Sequence, residues 1–238
     1  MKRQPLKGLL IFSIFSNKGS LVISSILALF FIISAVVIGF MPLTGLMAML
    51  LFPSVSFFFH NDMVKTDKAK WSKFQLSMPI RRKDVITSQY VYFLLLVVVA
   101  LLITGLVHGI AYFLDSLNIF QIRWLLDGLE AVGEAHPLQD MPPSQISHIM
   151  ILIGIGSAFL TCAIYYPLRY TICRGKEELT SFLVMLGSMM IVSPIPVLAG
   201  FLEFSIIPLT VVFGLLIPSL LLVCSYFFTV KVYQTLDE

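Results

Sequence analysis

The chain alternates long runs without a charged residue and short runs in which the charged residues are collected. The uncharged runs of 43, 30, 28, 24 and 27 residues are 19–61, 85–114, 141–168, 179–202 and 204–230. A membrane-spanning helix needs about 20 mostly apolar residues, so each of the four shorter runs accommodates one helix. The longest run accommodates two helices, because the Pro and Gly of segment 41–45 mark a turn inside it.

This pattern predicts an all-α integral membrane protein with six transmembrane helices. The helices are expected near residues 21–40, 43–59, 90–113, 149–167, 179–200 and 207–230. An even number of spans places both termini on one side of the membrane. The whole chain, residues 1–238, is treated as one transmembrane domain.

Composition and charge define the class and the orientation. Hydrophobic residues make up 58% of the chain and charged residues 12%, against about 25% charged residues in soluble domains, so a soluble protein is excluded. Fifteen of the 16 Lys and Arg fall in the two tails and in the loops 60–89 and 168–178, which leaves Arg123 on the other face. Short cytoplasmic loops collect basic residues, so cytoplasmic termini, a cytoplasmic loop at 60–89 and an extracellular loop at 114–148 are predicted. The net charge of +3 follows from this bias and indicates no nucleic-acid partner.

Two segments outside the spans are predicted to be amphipathic. Residues 1–20 are interpreted as an interfacial helix on the inner leaflet, with basic residues toward the lipid headgroups; the alternative is a disordered basic tail. The apolar side chains of this helix predicted to face lipid are Leu6, Leu9, Leu10 and Phe12. In the outer loop, apolar residues recur at helical spacing from Leu117 to Val132, which predicts a surface helix over the outer ends of the spans.

Several functions are disfavoured because their residues are missing. There is no G-x-x-x-x-G-K-[ST] motif, whose backbone amides would cradle nucleotide phosphates, and no Asp, Glu, Lys or Arg lies mid-span, as ion-coupled transport would need. No disulfide or metal spacing involves the three Cys. The four histidines lie in different segments, so a common metal site is not expected: His60, His108, His136 and His148. No cofactor is expected in this chain.

Two features inside the spans stand out. His108 lies near the outer end of the third helix, where it either lines an outward-facing cavity or occupies the interface. Pro194 and Pro196 interrupt the fifth helix after about 15 residues, or roughly 22 Å of helix, too short to cross without tilting. A simple proline kink is one interpretation of this interruption.

The cytoplasmic loop 60–89 carries the strongest chemical signal. Trp71, Phe74 and Met78 share one helical face, Pro79 ends that helix, and a charge cluster follows. The cluster consists of Arg81, Arg82, Lys83 and Asp84. The segment is either a basic amphipathic element on anionic lipid or a docking element for a cytosolic partner.

The sequence DKAKWSKF at residues 67–74, with LSMPIRRKDV at 76–85, resembles the cytoplasmic signature of ABC-2 type exporter permeases. It is most similar to small bacterial permeases of the branch that includes exporters of phenol-soluble modulins and antimicrobial peptides, and bacteriocin-immunity systems. Met78 replaces the usual leucine, and Gln89 stands where a lysine is common. The resemblance implies a non-catalytic, multi-pass subunit of the bacterial plasma membrane.

The resemblance also implies partners and site residues. A separate ATPase subunit, which would bind ATP and Mg²⁺, is expected to dock on the loop, and a second permease chain completes a homodimer or heterodimer. The expected docking residues are Trp71, Phe74, Met78, Pro79, Arg81, Arg82, Lys83 and Asp84. Residues 194–206 would form a re-entrant element, so the candidate path or gate residues are His108, Pro194, Pro196 and Glu203.

The function implied by the resemblance is export of an amphipathic or hydrophobic cargo, such as a peptide toxin, an antimicrobial peptide or a drug. The lack of buried charge in the spans is consistent with such a cargo. An alternative is a membrane immunity or scaffold protein that binds a toxin or lipid without ATP coupling, and a membrane-embedded enzyme ranks after it. An adjacent gene for a P-loop ATPase would favour the transporter over both.

Overall fold

The protein is described by a computed structural model that covers most of the apolar segments. The described residues are 5–16, 19, 22, 26, 30, 45–57, 81–116, 143–171, 177–196, 198 and 206–235. Within these residues the backbone is helical apart from Arg81 and a turn at 193–194, and no strand occurs. The all-α prediction is therefore confirmed for this part of the chain.

Seven helices and one π-helical turn make up the described fold. In chain order they are α1 (Pro5–Ser16), α2 (Gly45–Phe57), α3 (Arg82–Ser116), α4 (Pro143–Thr171), α5 (Glu177–Val192), α6 (Ile206–Val211), the π-turn (Val212–Leu216) and α7 (Ile217–Thr235). Among the described residues, three segments are long and apolar enough to cross a membrane: Lys83–Phe113, Ser144–Thr171 and Ile206–Gln234. The shorter apolar helices are Gly45–Phe57 and Leu179–Val192.

Helix α4 is the centre of the bundle, and residues 153–158 in its middle are all buried. Its glycine positions let α2 approach closely: a Cβ on Gly154 would lie 2.9 Å from the Ala48 carbonyl oxygen and 3.0 Å from the Phe52 ring. Earlier in both helices, a Cβ on Gly45 would lie 2.7 Å from the Cα of Ser147. These two contacts show that α2 runs parallel to α4.

Helix α3 runs in the opposite direction to α4. The Nδ1 atom of His108, late in α3, lies 3.2 Å from the Oγ atom of Ser147, early in α4. At the other end, the ring of Tyr90 stacks on that of Tyr166 with 4.4 Å between centroids. Helices α3 and α4 are therefore antiparallel over about 18 residues of α3, or roughly 27 Å.

Helix α5 is also antiparallel to α4. The hydroxyls of Thr161 in α4 and Ser188 in α5 share a buried hydrogen bond of 2.5 Å. Val192 at the end of α5 belongs to one apolar cluster with Ile149 and Ile153 from the first half of α4. The chain direction thus alternates from α2 to α5, as expected for consecutive membrane-crossing hairpins.

The π-turn before α7 brings two backbones into direct contact. Pro218 has no amide hydrogen, so it cannot donate to the carbonyl of Gly214 four residues earlier in α-helical register. That carbonyl oxygen lies 1.7 Å from the place where a Cβ on Gly156 would be. Later in the same helices, Tyr170 and Tyr233 meet edge to face at 5.1 Å, so α7 runs parallel to α4.

Several helix boundaries differ from those predicted from charge-free intervals. Helix α3 begins at Arg82 and not near residue 90, and α4 covers Pro143–Thr171 and not 149–167. Arg169, expected in a loop, therefore belongs to α4. Its side chain is 8% exposed, and its Cζ atom lies 5.6 Å from the ring centre of Tyr170. Arg169 can remain within α4 because a long arginine side chain covers apolar surface while its guanidinium contacts an aromatic face.

Helix α1 packs against α3. Leu9 is buried and Leu10 packs on the main apolar cluster, whereas Ile11 and Phe15 are exposed. The prediction that Leu9 and Leu10 face lipid was therefore wrong. Helix α1 is apolar on several sides, so sequence periodicity does not distinguish the side facing protein from the side facing lipid.

Candidate functional site

Five tyrosines pack together where the start of α3 meets the ends of α4 and α7. This tyrosine cluster consists of Tyr90, Tyr166, Tyr170, Tyr226 and Tyr233. Tyr90 is its centre, because it stacks on Tyr166 at 4.4 Å and meets Tyr226 edge to face at 5.4 Å. Offset-stacked and edge-to-face pairs each add about 0.5–1.5 kcal/mol beyond the burial of the rings, so the cluster holds three helices together.

The hydroxyl of Tyr90 connects α3 to α7 inside the bundle. It lies 2.9 Å from the Oγ of Ser225 and 3.2 Å from the Oγ1 of Thr229, and all three side chains are buried. Ser225 and Thr229 are four residues apart, so they lie on one face of α7. A buried hydroxyl with two partners also specifies the rotational register of α7 against α3, since rotation would leave polar groups unpaired.

Two further hydrogen bonds connect the first turns of α3 to its neighbours. The hydroxyls of Thr87 and Tyr226 lie 2.9 Å apart and share a hydrogen bond to α7. The Tyr170 hydroxyl donates to Oε1 of Gln89 over 3.0 Å, which ties α3 to α4. The start of α3 is thus bound to α7 through Thr87 and to α4 through Gln89.

The beginning of α3 carries half of the predicted docking residues. Arg81 and Lys83 are exposed, Asp84 is half-buried, and Arg82 is the first helical residue. The amide of Asp84 donates to the carbonyl of Arg81 over 2.8 Å, and the Asp84 carboxylate in the first turn complements the positive end of the helix dipole. The structure therefore places these four residues together at one helix start.

The other half of the predicted docking site lies outside the described residues, namely Trp71, Phe74, Met78 and Pro79. The charge cluster is nevertheless close to the tyrosine cluster along α3. Tyr90 follows Arg82 by eight residues, or roughly 12 Å of helix. Little more than two turns of α3 therefore separate Arg81–Asp84 from the contacts that Tyr90 makes with α4 and α7.

His108 is held at the opposite end of α3. Its side chain is half-buried, its Nδ1 lies 3.2 Å from Oγ of Ser147, and its ring meets that of His148 at a centroid distance of 5.0 Å. Two histidines that the sequence placed in different segments are thus brought together. The reason is that α4 begins at Pro143, so His148 lies on a helix and not in the outer loop.

The predicted interruption of the fifth helix is present. Helix α5 ends at Val192, the turn contains Ser193 and exposed Pro194, and a short helical stretch with buried Pro196 follows. The amide of Leu198 donates to the carbonyl of Pro194 over 2.9 Å. Glu203 lies outside the described residues.

The described residues of the tyrosine cluster provide packing and polar contacts. In the described ranges between residues 5 and 235, no group of three or more His, Cys, Asp or Glu is placed to hold a metal ion. The polar groups of the tyrosine cluster are hydroxyls and an amide engaged with each other. Such an arrangement can transmit displacement between helices, and it is suited to conformational coupling.

Comparison with known proteins identifies the family. A sequence model of the ABC-2 family transporter proteins matches residues 8–129 and 131–234, which is nearly the whole chain. The protein belongs to the ABC-2 transporter family, and it is a permease component of an ATP-binding cassette transporter. It is a multi-pass protein of the bacterial plasma membrane, and its family implies association with an ATP-binding subunit. No curated protein and no solved structure matches the chain.

The sequence analysis anticipated the family and missed the tyrosine cluster. A signal was available in α7, where Tyr226, Thr229 and Tyr233 recur at spacings of three and four residues and Ser225 precedes Thr229 by four. Hydroxyl-bearing residues at that spacing line one helical face, and in membranes such faces pack against other helices. The counterpart Tyr90 could not be assigned to this face without the tertiary structure.

Proposed function

We propose that this chain is the permease subunit of an ATP-driven exporter and that the start of α3 receives the motion of a separate ATPase subunit. The observation that carries this proposal is the position of Arg81–Asp84 directly before the tyrosine cluster. The end of the bundle with this cluster faces the cytoplasm, in agreement with the basic residues of loop 60–89. ATP and Mg²⁺ are bound by the partner, and this chain performs no chemistry.

The coupling works because α3 does not move alone. Tyr90 links α3 to Ser225 and Thr229 of α7, and Gln89 links it to Tyr170 of α4. Displacement of the α3 start by the ATPase is therefore passed to the ends of α4 and α7 together. A packed cluster favours two discrete arrangements over continuous deformation, which suits alternation between inward-facing and outward-facing states.

The cargo is an amphipathic or hydrophobic molecule, such as a peptide toxin, an antimicrobial peptide or a drug. Much of the surface of α3 and α7 is apolar, with exposed side chains such as Leu102, Leu106 and Leu220. A second permease chain, identical or different, contributes the other half of the path. His108, Pro194, Pro196 and Glu203 are the candidates for residues that line or gate it.

Docking is tested by co-expression with the partner ATPase subunit, followed by purification in detergent. The triple variant Trp71→Ala, Arg81→Ala, Arg82→Ala is expected to lose the complex and the stimulation of ATP hydrolysis. Lys231→Ala, which removes an exposed basic charge from α7, serves as the matched control and should retain both. Retention of the complex and of transport by the triple variant contradicts the docking proposal.

Coupling is tested separately with Tyr90→Phe, which removes the hydroxyl bound to Ser225 and Thr229 and keeps the ring. The complex should form and hydrolyse ATP, while transport per ATP hydrolysed falls severalfold. Tyr112→Phe, at the far end of α3 where the side chain is exposed, is the control. Unchanged transport per ATP in Tyr90→Phe removes the tyrosine cluster from the mechanism without affecting the docking proposal.

The path is tested with Glu203→Gln in the same complex. This change removes a charge and keeps the side-chain shape, so export should fall while ATPase binding is retained. Export at the wild-type rate excludes Glu203 from the path.

A further inference from the structure

His108 of α3 and His148 of α4 form a histidine pair at the end of the bundle opposite the tyrosine cluster. The two ring centroids are 5.0 Å apart and the ring planes cross at 63°. His148 is exposed and His108 is half-buried, so the pair is reachable from outside the bundle. Two imidazoles are thus presented side by side from two antiparallel helices.

The separation of the rings matches that of two imidazoles sharing one metal ion. Zinc binds a histidine nitrogen at about 2.0–2.1 Å, which places the ion about 3.2 Å from the ring centre. Two such bonds at a tetrahedral angle separate the ring centres by about 5 Å. The ring centres of the histidine pair already have this spacing.

Ser147 orients the first of these rings. Its Oγ lies 3.2 Å from Nδ1 of His108, and the serine is completely buried beside Gly45 of α2. Metal-ligating histidines commonly hold their second ring nitrogen in such a hydrogen bond, which selects the tautomer. With the N–H of Nδ1 donating to Ser147, Nε2 is the nitrogen that carries the lone pair for a ligand.

We propose that His108 and His148 bind one Zn²⁺ or Cu²⁺ ion that clamps α3 to α4, with Ser147 as a positioning residue. Imidazole ligands favour these ions over Mg²⁺ and Ca²⁺. In the part of the chain that the structure describes, no third His, Cys, Asp or Glu joins the pair, so water completes the coordination and the ion exchanges readily. The proposal does not depend on the transport function.

A bound ion would favour the state in which these ends of α3 and α4 are together, because a ligand shifts a conformational equilibrium by its differential affinity for the two states. The histidine pair lies roughly 27 Å along α3 from Tyr90. The ion would therefore restrain the end of the helix that is far from the tyrosine cluster.

The test is a Cu²⁺ titration of protein purified through a tag without histidine, followed by electron paramagnetic resonance. Wild-type protein should bind one Cu²⁺ per chain with two nitrogen ligands. His108→Ala and His148→Ala should each lose the two-nitrogen signature and at least about tenfold in affinity, and Ser147→Ala should keep the signature with an affinity about tenfold lower. Cys224→Ser, which removes an exposed thiol from α7, should change nothing.

Thermal unfolding shows whether a variant has simply lost its fold. His148 is exposed, so His148→Ala without metal should unfold near the wild-type temperature, and Zn²⁺ should raise the unfolding temperature of the wild type only. The proposal is overturned if the wild type binds no Cu²⁺, if both alanine variants bind it unchanged, or if only one histidine matters.

Discussion

The contact between Gly156 and Gly214 makes a sharp prediction about stability. The substitution Gly156→Ala adds one methyl group to the middle of α4. Its carbon would lie 1.7 Å from the carbonyl oxygen of Gly214 and 2.7 Å from the carbonyl carbon. Ordinary non-bonded contacts are about 3.5–4.0 Å, so the two backbones must separate by roughly 1.5–2 Å.

The cost of Gly156→Ala is expected to exceed that of ordinary overpacking. Inserting a methylene into a packed core costs about 1–3 kcal/mol, but in most cores a neighbouring side chain can rotate away. Here the obstacle is a backbone carbonyl, so α4 and α7 must move apart along a contact that extends to the tyrosine cluster. We expect a loss of at least about 3 kcal/mol, or roughly 6–12 °C in unfolding temperature for a chain of this size.

The assay is thermal unfolding of purified protein in detergent, with two glycine controls. Gly214→Ala alters the same contact from the other side, yet its Cβ would meet Thr210 Cγ2 at 3.5 Å and the carbonyl oxygen of Leu152 at 3.8 Å, which are ordinary van der Waals contacts. At Gly105 a Cβ meets nothing within 4 Å. Both controls should stay within about 1 kcal/mol of the wild type, since Ala favours helix over Gly. The reasoning is refuted if Gly156→Ala unfolds within 2 °C of the wild type or if Gly214→Ala loses as much.

Three further predictions concern other parts of the bundle. In a double-mutant cycle, Thr161→Val and Ser188→Ala should show a coupling of about 0.5–1.5 kcal/mol, and additive effects in thermal unfolding would contradict their buried hydrogen bond. Phe52→Ala, at a completely buried position, should cost about 3–5 kcal/mol by the same assay, whereas Leu102→Ala, 65% exposed, should cost much less. Asp84→Asn should cost about 0.3–1 kcal/mol at low salt and less at high salt, and a salt-independent loss would exclude the helix-dipole contribution.

Helix α4 contacts other elements at both of its ends and in its middle. Gly154 and Gly156 let α2 and the π-turn approach its backbone from different sides, while the tyrosine cluster and the histidine pair join it to α3 at the two ends. In a membrane, close packing of small residues replaces the hydrophobic effect as the main driving force for helix association. Helix α4 is therefore in close contact with α2, α3 and the π-turn.

The family could be inferred from sequence because its signature is local. The run from Asp67 to Val85 carries aromatic, proline and charged residues close together, and the match over residues 8–129 and 131–234 confirms the resemblance to ABC-2 permeases, while the branch of peptide exporters stays a prediction. The docking role of Trp71, Phe74, Met78 and Pro79 stays a prediction. Helix ends were less accurate, since the length of an uncharged run ignores arginines such as Arg169 that remain helical and buried.

Apolar runs and turn residues determined by themselves that the protein is helical and membrane-embedded, because a backbone in lipid must satisfy its hydrogen bonds within each helix. Only the tertiary structure decided which helix faces meet. The partners of Tyr90 lie 135 and 139 residues away in sequence. His108 likewise contacts His148 of a different helix, and hydrophobic periodicity does not predict such distant pairs. Side-chain pairing between helices depends on rotation and depth, and neither quantity is encoded in the hydropathy of a single span.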